Sequence, residues 1–379
     1  MKPQGDSVIP QPSPSPMRHM LDRLAQQQCL SWKQWHTLLT MATSADRQYA
    51  ASMAFRLTRA IFGHQIYYRG IVEFTNHCRC NCRYCGIRKG NAKLQRYRLS
   101  SEEIVDACAT GYSLGVRTFV LQGGEDPWYT DERLVPLIAS LNEHFPQAAI
   151  TLSLGERSQE SYKNLYAAGA RRYLLRHETA NPSHYRQLHT QSQSFWRRMN
   201  CLYALREAGY QVGCGMMVGS PGQGMEQLAD DMVFLQEFRP EMLGIGPFLP
   251  HHATPFHACP PGRADLTLFL LSLCRLMLPA VLLPATTALR TLLPRGLARG
   301  VEAGCNVVMP SMTSQTKGYA LYDGKVVTQN LAATLHLMEE EVVTTGCTLT
   351  SARGDYGYES QPESENPSAR MTLSCEPCE

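Results

Sequence analysis

Four times in this chain a helix-like stretch stops at a glycine and a run of strand-forming residues begins within about two positions. The junctions are Leu114-Gly115-Val116-Arg117-Thr118-Phe119-Val120, Ala168-Gly169-Ala170-Arg171-Arg172-Tyr173-Leu174-Leu175, Ala208-Gly209-Tyr210-Gln211-Val212 and Ala303-Gly304-Cys305-Asn306-Val307-Val308. Glycine there can take the left-handed conformation that ends a helix. The span from Gly115 to Gly304 holds about six units of roughly 31 residues, close to the length of one βα repeat. Strands that alternate with helices build a parallel sheet. With the intervening runs, eight strands are expected near 66–74, 117–122, 149–154, 171–176, 211–218, 242–247, 281–285 and 305–310. Eight imply an α/β fold closed into a (β/α)8 TIM barrel, with an incomplete barrel as the alternative. A chain of 379 residues, 44% hydrophobic, suffices, since one such barrel takes about 250 residues and gathers its chemistry at the C-terminal ends of its strands.

The first strand runs directly into Asn76-His77-Cys78-Arg79-Cys80-Asn81-Cys82-Arg83-Tyr84-Cys85-Gly86, where four cysteines fall within eight residues. The regular pattern is Cys78-x3-Cys82-x2-Cys85, with Cys80 in the first gap, read as a non-ligand. Three thiolates on one loop hold three irons of a [4Fe–4S] cube and leave the fourth iron open to another ligand. A zinc site from His77, Cys80, Cys82 and Cys85 is the alternative, but these ligands are crowded and no second CxxC or CxxH lies nearby. Arg79, Arg83, Arg88 and Lys89 either offset the negative charge of the cluster or form a solvated basic loop. Two later strands end in polar phrases. Leu121-Gln122-Gly123-Gly124-Glu125-Asp126-Pro127 closes the second, its glycines allowing close backbone approach. Leu175-Arg176-His177-Glu178-Thr179-Ala180-Asn181-Pro182 closes the fourth, where Arg176 and Glu178 either contact a ligand or pair with one another.

CxxxCxxC with an aromatic residue before the last cysteine resembles the signature of the radical S-adenosylmethionine (SAM) superfamily. The resemblance implies a [4Fe–4S] cluster on Cys78, Cys82 and Cys85 with SAM on its open iron. One electron from the cluster then releases a 5′-deoxyadenosyl radical. It places Tyr84 by the adenine and Gly123, Gly124 and Glu125 at the methionine amino group. The phrase from Leu174 to Pro182 resembles the HydE-type maturases of [FeFe] hydrogenase. So do Met217-Val218-Gly219-Ser220-Pro221-Gly222-Gln223, Gly244-Ile245-Gly246-Pro247-Phe248, Pro284-Ala285-Thr286-Thr287-Ala288 and Gly304-Cys305-Asn306-Val307-Val308-Met309-Pro310. The likeness spans about residues 55–325. It implies that Glu178, Arg198 and Met242 line the SAM site and that Arg69, Gln122, Arg176, Thr286, Thr287, Met309 and Tyr319 meet the substrate. Two arginines and paired hydroxyls at strand ends suit an anion.

In that family the substrate is an organometallic small molecule, a cysteine-bound Fe(CO)2(CN) unit. The resemblance therefore also implies an external electron donor and the other hydrogenase maturation proteins as partners. Two departures stand out: residues 326–337 lack the cysteines that hold a second cluster in some members, and Arg290 stands where the family has a smaller residue. A methylornithine synthase-like mutase is the second reading. A non-catalytic iron–sulfur scaffold, the third, has no need of Gly123-Gly124-Glu125 or Arg176. Biotin synthase would need cysteines in several strands, and 118–122 and 149–154 have none.

The organisation expected is a flexible leader over 1–16, a helical extension over 17–65, the barrel over 66–325, a helix over 326–345 and a disordered tail over 346–379. That tail holds Cys347, Cys375 and Cys378, a weak candidate for a displaced metal site. Ser100 and Glu103 read as a capping box, and His177 and Cys214 as core residues. A net charge of +3 with 18% charged residues is too mild and scattered for a nucleic-acid partner. The apolar run 266–283 is broken by Arg275 and Pro279, hence a buried helix and a strand rather than a membrane span. The metal-like cysteine grouping and the absence of an apolar core in residues 1–20 point to the cytoplasm.

Overall fold

The computed structural model describes residues 15–313, 319, 321–323 and 330–357. Three helices come first, Pro16–Gln27, Trp32–Met41 and Ser44–Phe62, and each opens on a hydroxyl (Ser15, Ser31, Thr43) that accepts a first-turn backbone N–H. Such caps satisfy donors a helix start leaves without partners. The extension is clamped to the barrel rather than separate from it. Trp35 is fully buried and its indole N–H donates to Gln236 at 3.2 Å, in the helix Met225–Phe238. Thr58 Oγ1 donates to the Gly304 carbonyl at 3.0 Å.

The first barrel strand is Gln65–Tyr68 continued by Gly70–Thr75, with Arg69 at the break. Thr118–Gly123, Ala149–Ser153, Arg172–Leu174, Gln211–Cys214 and Met242–Leu243 follow, each parallel to the one before. Pro284–Ala285 pairs with Val307–Val308, which pairs in turn with the first strand. The junction between the sixth and seventh strands is a bridge from Met242 to Leu282, with Leu243 N–H donating to the Leu282 carbonyl at 3.1 Å and Leu282 N–H to the Glu241 carbonyl at 3.0 Å. Hydrogen bonding thus passes between each neighbouring pair of these eight strands.

The junction glycines do what their positions require: Gly115, Gly169, Gly209 and Gly304 all have positive φ, between 91° and 117°. Ser100 and Glu103 form the capping box of Ser101–Ser113. The apolar run becomes the buried helix Ala264–Met277 and a strand. Its Arg275 is fully buried yet satisfied, donating to Gly304 O, Pro279 O and Asn306 Oδ1. Among the described residues no helix is long and apolar enough to cross a membrane. His177 and Cys214 are fully buried.

The tail needs correction. Residues 346–357 are ordered: Thr348–Thr350 adds to the first strand in parallel, Gln65 facing Thr348 and Tyr67 facing Thr350. The chain then crosses the N-terminal mouth of the barrel, where Arg353 O accepts from Thr118 Oγ1 at 2.8 Å and Asp355 pairs with Arg172, whose side chain is 1% exposed. The physical reason is that buried guanidinium, which needs a counter-charge the barrel strands do not supply. Cys347 is buried in the same segment and is not grouped with other metal-ligating side chains among the described residues. The leader up to residue 14, residues 324–329 of the inter-element span, and the tail from 358, with Cys375 and Cys378, lie outside the described residues. The expected C-terminal helix is Leu331–Val343, whose Glu341 Oε1 accepts the backbone N–H groups of Leu297 and Ala298.

Candidate active site

One cavity of about 620 Å³ occupies the barrel interior and its C-terminal mouth. Every candidate picked from the sequence lines it: Cys78, Cys82 and Cys85; Tyr84, Gly123, Gly124, Glu125, Glu178, Arg198 and Met242; Arg69, Gln122, Arg176, Thr286, Thr287, Met309 and Tyr319. These come from six of the eight strands and the loops beyond them, with Arg198 from the helix Phe195–Glu207.

The cysteine loop forms one wall. Arg96 gathers it, donating to the carbonyls of Ile87, at 2.7 Å, and Asn76, while Arg79 N–H donates to Glu125 O at 2.9 Å. Behind the loop stands Gly124, where a Cβ would strike the His77 carbonyl oxygen and come 2.7 Å from Cys78 Cβ. The backbone this glycine lets in close is therefore that of the cysteine loop. Hydrogen bonding from Cys80 holds the Cys78 thiol down, at about 7, whereas burial pushes Cys82 up to about 11 and Cys85 well above the usual thiol range. Among the described residues, the only His/Cys/Asp/Glu trio with ligand atoms all within 4.8 Å of one another is His251, His252 and Asp323. The loop thiols are thus not drawn around one ion-sized point, as zinc requires. Three thiols spread along one wall of an open cavity fit the iron–sulfur cube, which spans several ångströms and needs a free corner.

Glu125 is the hub beside the loop. Its Oε2 accepts from Arg79 Nε at 3.1 Å and from Cys80 Sγ at 3.2 Å, and its Oε1 accepts the Glu156 N–H at 2.9 Å and lies 3.5 Å from Arg198 Nη2. Arg198 also pairs with Glu156 at 3.0 Å. Cys80 thus touches Glu125 as well as Cys78. Tyr84 is held by His189, which the sequence reading missed. Nδ1 of His189 faces the Tyr185 carbonyl at 3.0 Å and Nε2 faces Tyr84 Oη at 3.2 Å, so a neutral imidazole donates through the first and accepts through the second. Burial pushes the His189 pKa down to about 3.

The fourth strand stops at Leu174, so Arg176 and Glu178 do not reach the cavity by strand alternation. Glu178 has φ of 68°, and its N–H donates to Gly215 O at 3.0 Å. The turn rests on two fully buried groups: His177 Nδ1 accepts the Gly215 N–H at 3.2 Å, and its Nε2 lies 3.3 Å from Asp231 Oδ1. A positive φ at a non-glycine residue persists only where surroundings enforce it. Arg176 Nη2 then sits 3.2 Å from Glu178 Oε2 without the alignment of a hydrogen bond.

Deeper in, buried polar atoms face the cavity without hydrogen-bond partners among the described residues: Arg69 Nε and Nη2, Arg176 Nε, Thr151 Oγ1 and Thr286 Oγ1. Burial, followed by the nearby Arg172, lowers the Arg69 pKa against the opposing pull of Asp355. Glu73, Ser311 and Thr313 also line the cavity, both hydroxyls donating to Glu73 Oε2. The polar pair just after Met309-Pro310 was the available signal for them. Arg290 reaches the cavity wall as well.

The radical SAM superfamily profile matches residues 72–235. The HydE subunit of the [FeFe] hydrogenase maturase of Thermotoga maritima is 44% identical over 276 residues, covering 72% of this chain and 78% of that protein. The chain belongs to the HydE family of radical SAM enzymes. Within the wider superfamily, 3-methylornithine synthase of Methanosarcina barkeri is 28% identical, covering 76% of this chain and 81% of that protein. A crystal structure of methylornithine synthase superposes with a TM-score of 0.77 at 26% identity, over 87% of this chain and 97% of that one. The maturase HydG, at 17% identity and a TM-score of 0.76, over 90% of this chain and 77% of that one, shares the fold with this HydE-family chain.

Proposed function

We propose that this HydE-family enzyme is a maturase of [FeFe] hydrogenase acting on a cysteine-bound Fe(CO)2(CN) unit during assembly of the diiron site. Cys78, Cys82 and Cys85 would hold the [4Fe–4S] cluster. Bound there, the cluster supplies the electron that cleaves SAM reductively to a 5′-deoxyadenosyl radical. Glu125 and Arg198, already tied together, hold the amino-carboxylate end of SAM, with Glu178 and Met242 on its other side and Tyr84 at the adenine. Arg69, Arg176 and the Thr286 hydroxyl bind the anionic substrate, with Gln122, Thr287, Met309 and Tyr319 enclosing it. The closed barrel and its C-terminal floor keep water from the reacting atoms.

The observation that carries this reading is the set of buried donors left without partners. A buried guanidinium without a counter-charge in contact costs several kcal/mol of desolvation, so Arg69, beside the unpartnered Arg176 Nε and Thr286 Oγ1, is retained for a ligand that neutralises it. An iron-bound cyanide or a cysteine carboxylate meets that need. The test is an anaerobic maturation mixture of apo-hydrogenase and the other maturation proteins lacking only HydE. Adding this protein should restore hydrogen evolution, and no restoration would contradict the assignment.

A mutase of the methylornithine synthase kind draws support from Glu73, a carboxylate sharing the cavity with the arginines as a zwitterionic amino acid would require. Formation of 3-methylornithine, without hydrogenase activation, would favour it.

A further inference from the structure

An enzyme that cleaves SAM reductively must take one electron per turnover from outside, and the cysteines that would hold its cluster line the barrel cavity. The outward route passes through the cysteine loop, and this segment has a singular charge balance. Residues 76–98 contain seven Lys or Arg and no Asp or Glu, while the whole chain carries +3, so the remainder carries −4. The acids packed against the loop are turned inward. Glu125 and Glu156 are each 9% exposed, whereas the guanidiniums that cover them, Arg79 and Arg197, are 49% and 60% exposed. Arg83 and Lys89 are exposed and have no ion-pair partner among the described residues.

Arg83 and Lys89 lie on the loop that carries the cysteines, and Arg197 on the segment that loop touches. Lys89 N–H donates to Cys80 O at 2.8 Å, Arg83 N–H donates to Leu188 O at 2.9 Å, and Gln193 Nε2 lies 3.2 Å from Cys82 Sγ. Three residues beyond Gln193 stands Trp196, 67% exposed, the most exposed large apolar side chain among the described residues. It braces edge-on against Phe195 with ring centroids 5.0 Å apart. An exposed tryptophan beside an exposed arginine has the composition of an interface anchor, and complementary charge steers association with an acidic partner.

We infer that this face, with Arg83, Lys89 and Arg197 around Trp196, docks an acidic one-electron carrier protein that reduces the cluster. The inference rests on the functional reading above. The exchange is one electron, the carrier oxidised by one and the cluster reduced by one, with no bond formed or broken.

The test uses reconstituted holoprotein and an acidic [2Fe–2S] ferredoxin, with the Arg83→Glu/Lys89→Glu double variant and Trp196→Ala. Calorimetric titration with oxidised ferredoxin should show affinity at least tenfold weaker in the double variant, several-fold weaker in Trp196→Ala, and falling steeply with salt in the wild type. Reduction of the cluster by photoreduced ferredoxin, followed by electron paramagnetic resonance, should slow in parallel. Dithionite, a small reductant with no need to dock, should drive SAM cleavage equally in all three. Unchanged affinity on charge reversal overturns the inference. An equal fall in the dithionite-driven rate also overturns it, since the cations would then act on the cluster itself. Calorimetry reads docking whether or not SAM is cleaved, so wild-type protein inactive with dithionite contradicts the functional reading alone.

Discussion

Arg172 of the fourth barrel strand and Asp355 of the C-terminal segment form a buried ion pair at the N-terminal mouth of the barrel, and Arg172 also donates to Gly354 O and Thr118 Oγ1. The pair makes the segment after the last helix part of the barrel floor beneath Arg69.

Truncation should therefore divide sharply by position. Ending the chain after Thr345 removes Thr348–Thr350 and the floor over Arg172 and should destabilise, while Asp355→Asn keeps the cover but removes the counter-charge of Arg172 and should destabilise by about 3–5 kcal/mol. Ending it after Gly357 keeps both and should leave stability unchanged. Denaturant unfolding of the two truncations and of Asp355→Asn checks this, and equal stability of the Thr345 truncation and the full chain would refute it.

Much of this was legible in the residues. The four junction glycines marked helix ends, and candidates from six strands converged on one cavity, because βα periodicity and glycine punctuation are local signals. Asp355 was not legible. Its partner lies far away in sequence, and the Ser-, Glu- and Pro-rich composition of residues 346–379 masks the three-residue strand Thr348–Thr350. His189 was missed for a related reason: a lone histidine at the end of Pro182–Leu188 gains meaning only through Tyr84, brought to it by the fold.

Gly124→Ala should abolish cluster assembly although no ligand is replaced. Its Cβ meets the His77 backbone, which no rotamer can relieve. Iron content and visible absorbance after anaerobic reconstitution should drop to the level of Cys82→Ala while circular dichroism stays native. A full cluster in Gly124→Ala would show that the loop yields more readily than its packing implies.

His189 predicts a pH dependence of stability. Its folded pKa, about 3, lies below the unfolded value of about 6.5. Only the unfolded state binds its proton between those values, so stability is fully present above about 6.5 and declines as pH falls towards 3. Burial lowers His184 in the same direction. From pH 7 to pH 5 the loss attributable to His189 is on the order of 2 kcal/mol, and His189→Gln should flatten that slope by a similar amount. Identical slopes in chemical denaturation of wild type and variant would contradict the neutral, buried state of His189.

Arg176 and Glu178 touch one another and are assigned different ligands. Arg176→Lys keeps charge but loses the planar fork, weakening an anion contact by about 1–3 kcal/mol. SAM cleavage should survive while hydrogenase maturation falls. Glu178→Gln should lower both together. The reverse pattern, with cleavage lost in Arg176→Lys and spared in Glu178→Gln, would exchange the two roles.

The most direct measurement is 5′-deoxyadenosine formation from SAM and dithionite by protein reconstituted anaerobically, run alongside electron paramagnetic resonance of the reduced samples. Wild type and Cys80→Ala should both show a [4Fe–4S] signal that shifts on adding SAM, and both should form 5′-deoxyadenosine. Cys78→Ala, Cys82→Ala and Cys85→Ala should show neither. A cluster that survives Cys78→Ala but not Cys80→Ala, or a wild-type cluster that SAM neither perturbs nor is cleaved by, would contradict the account.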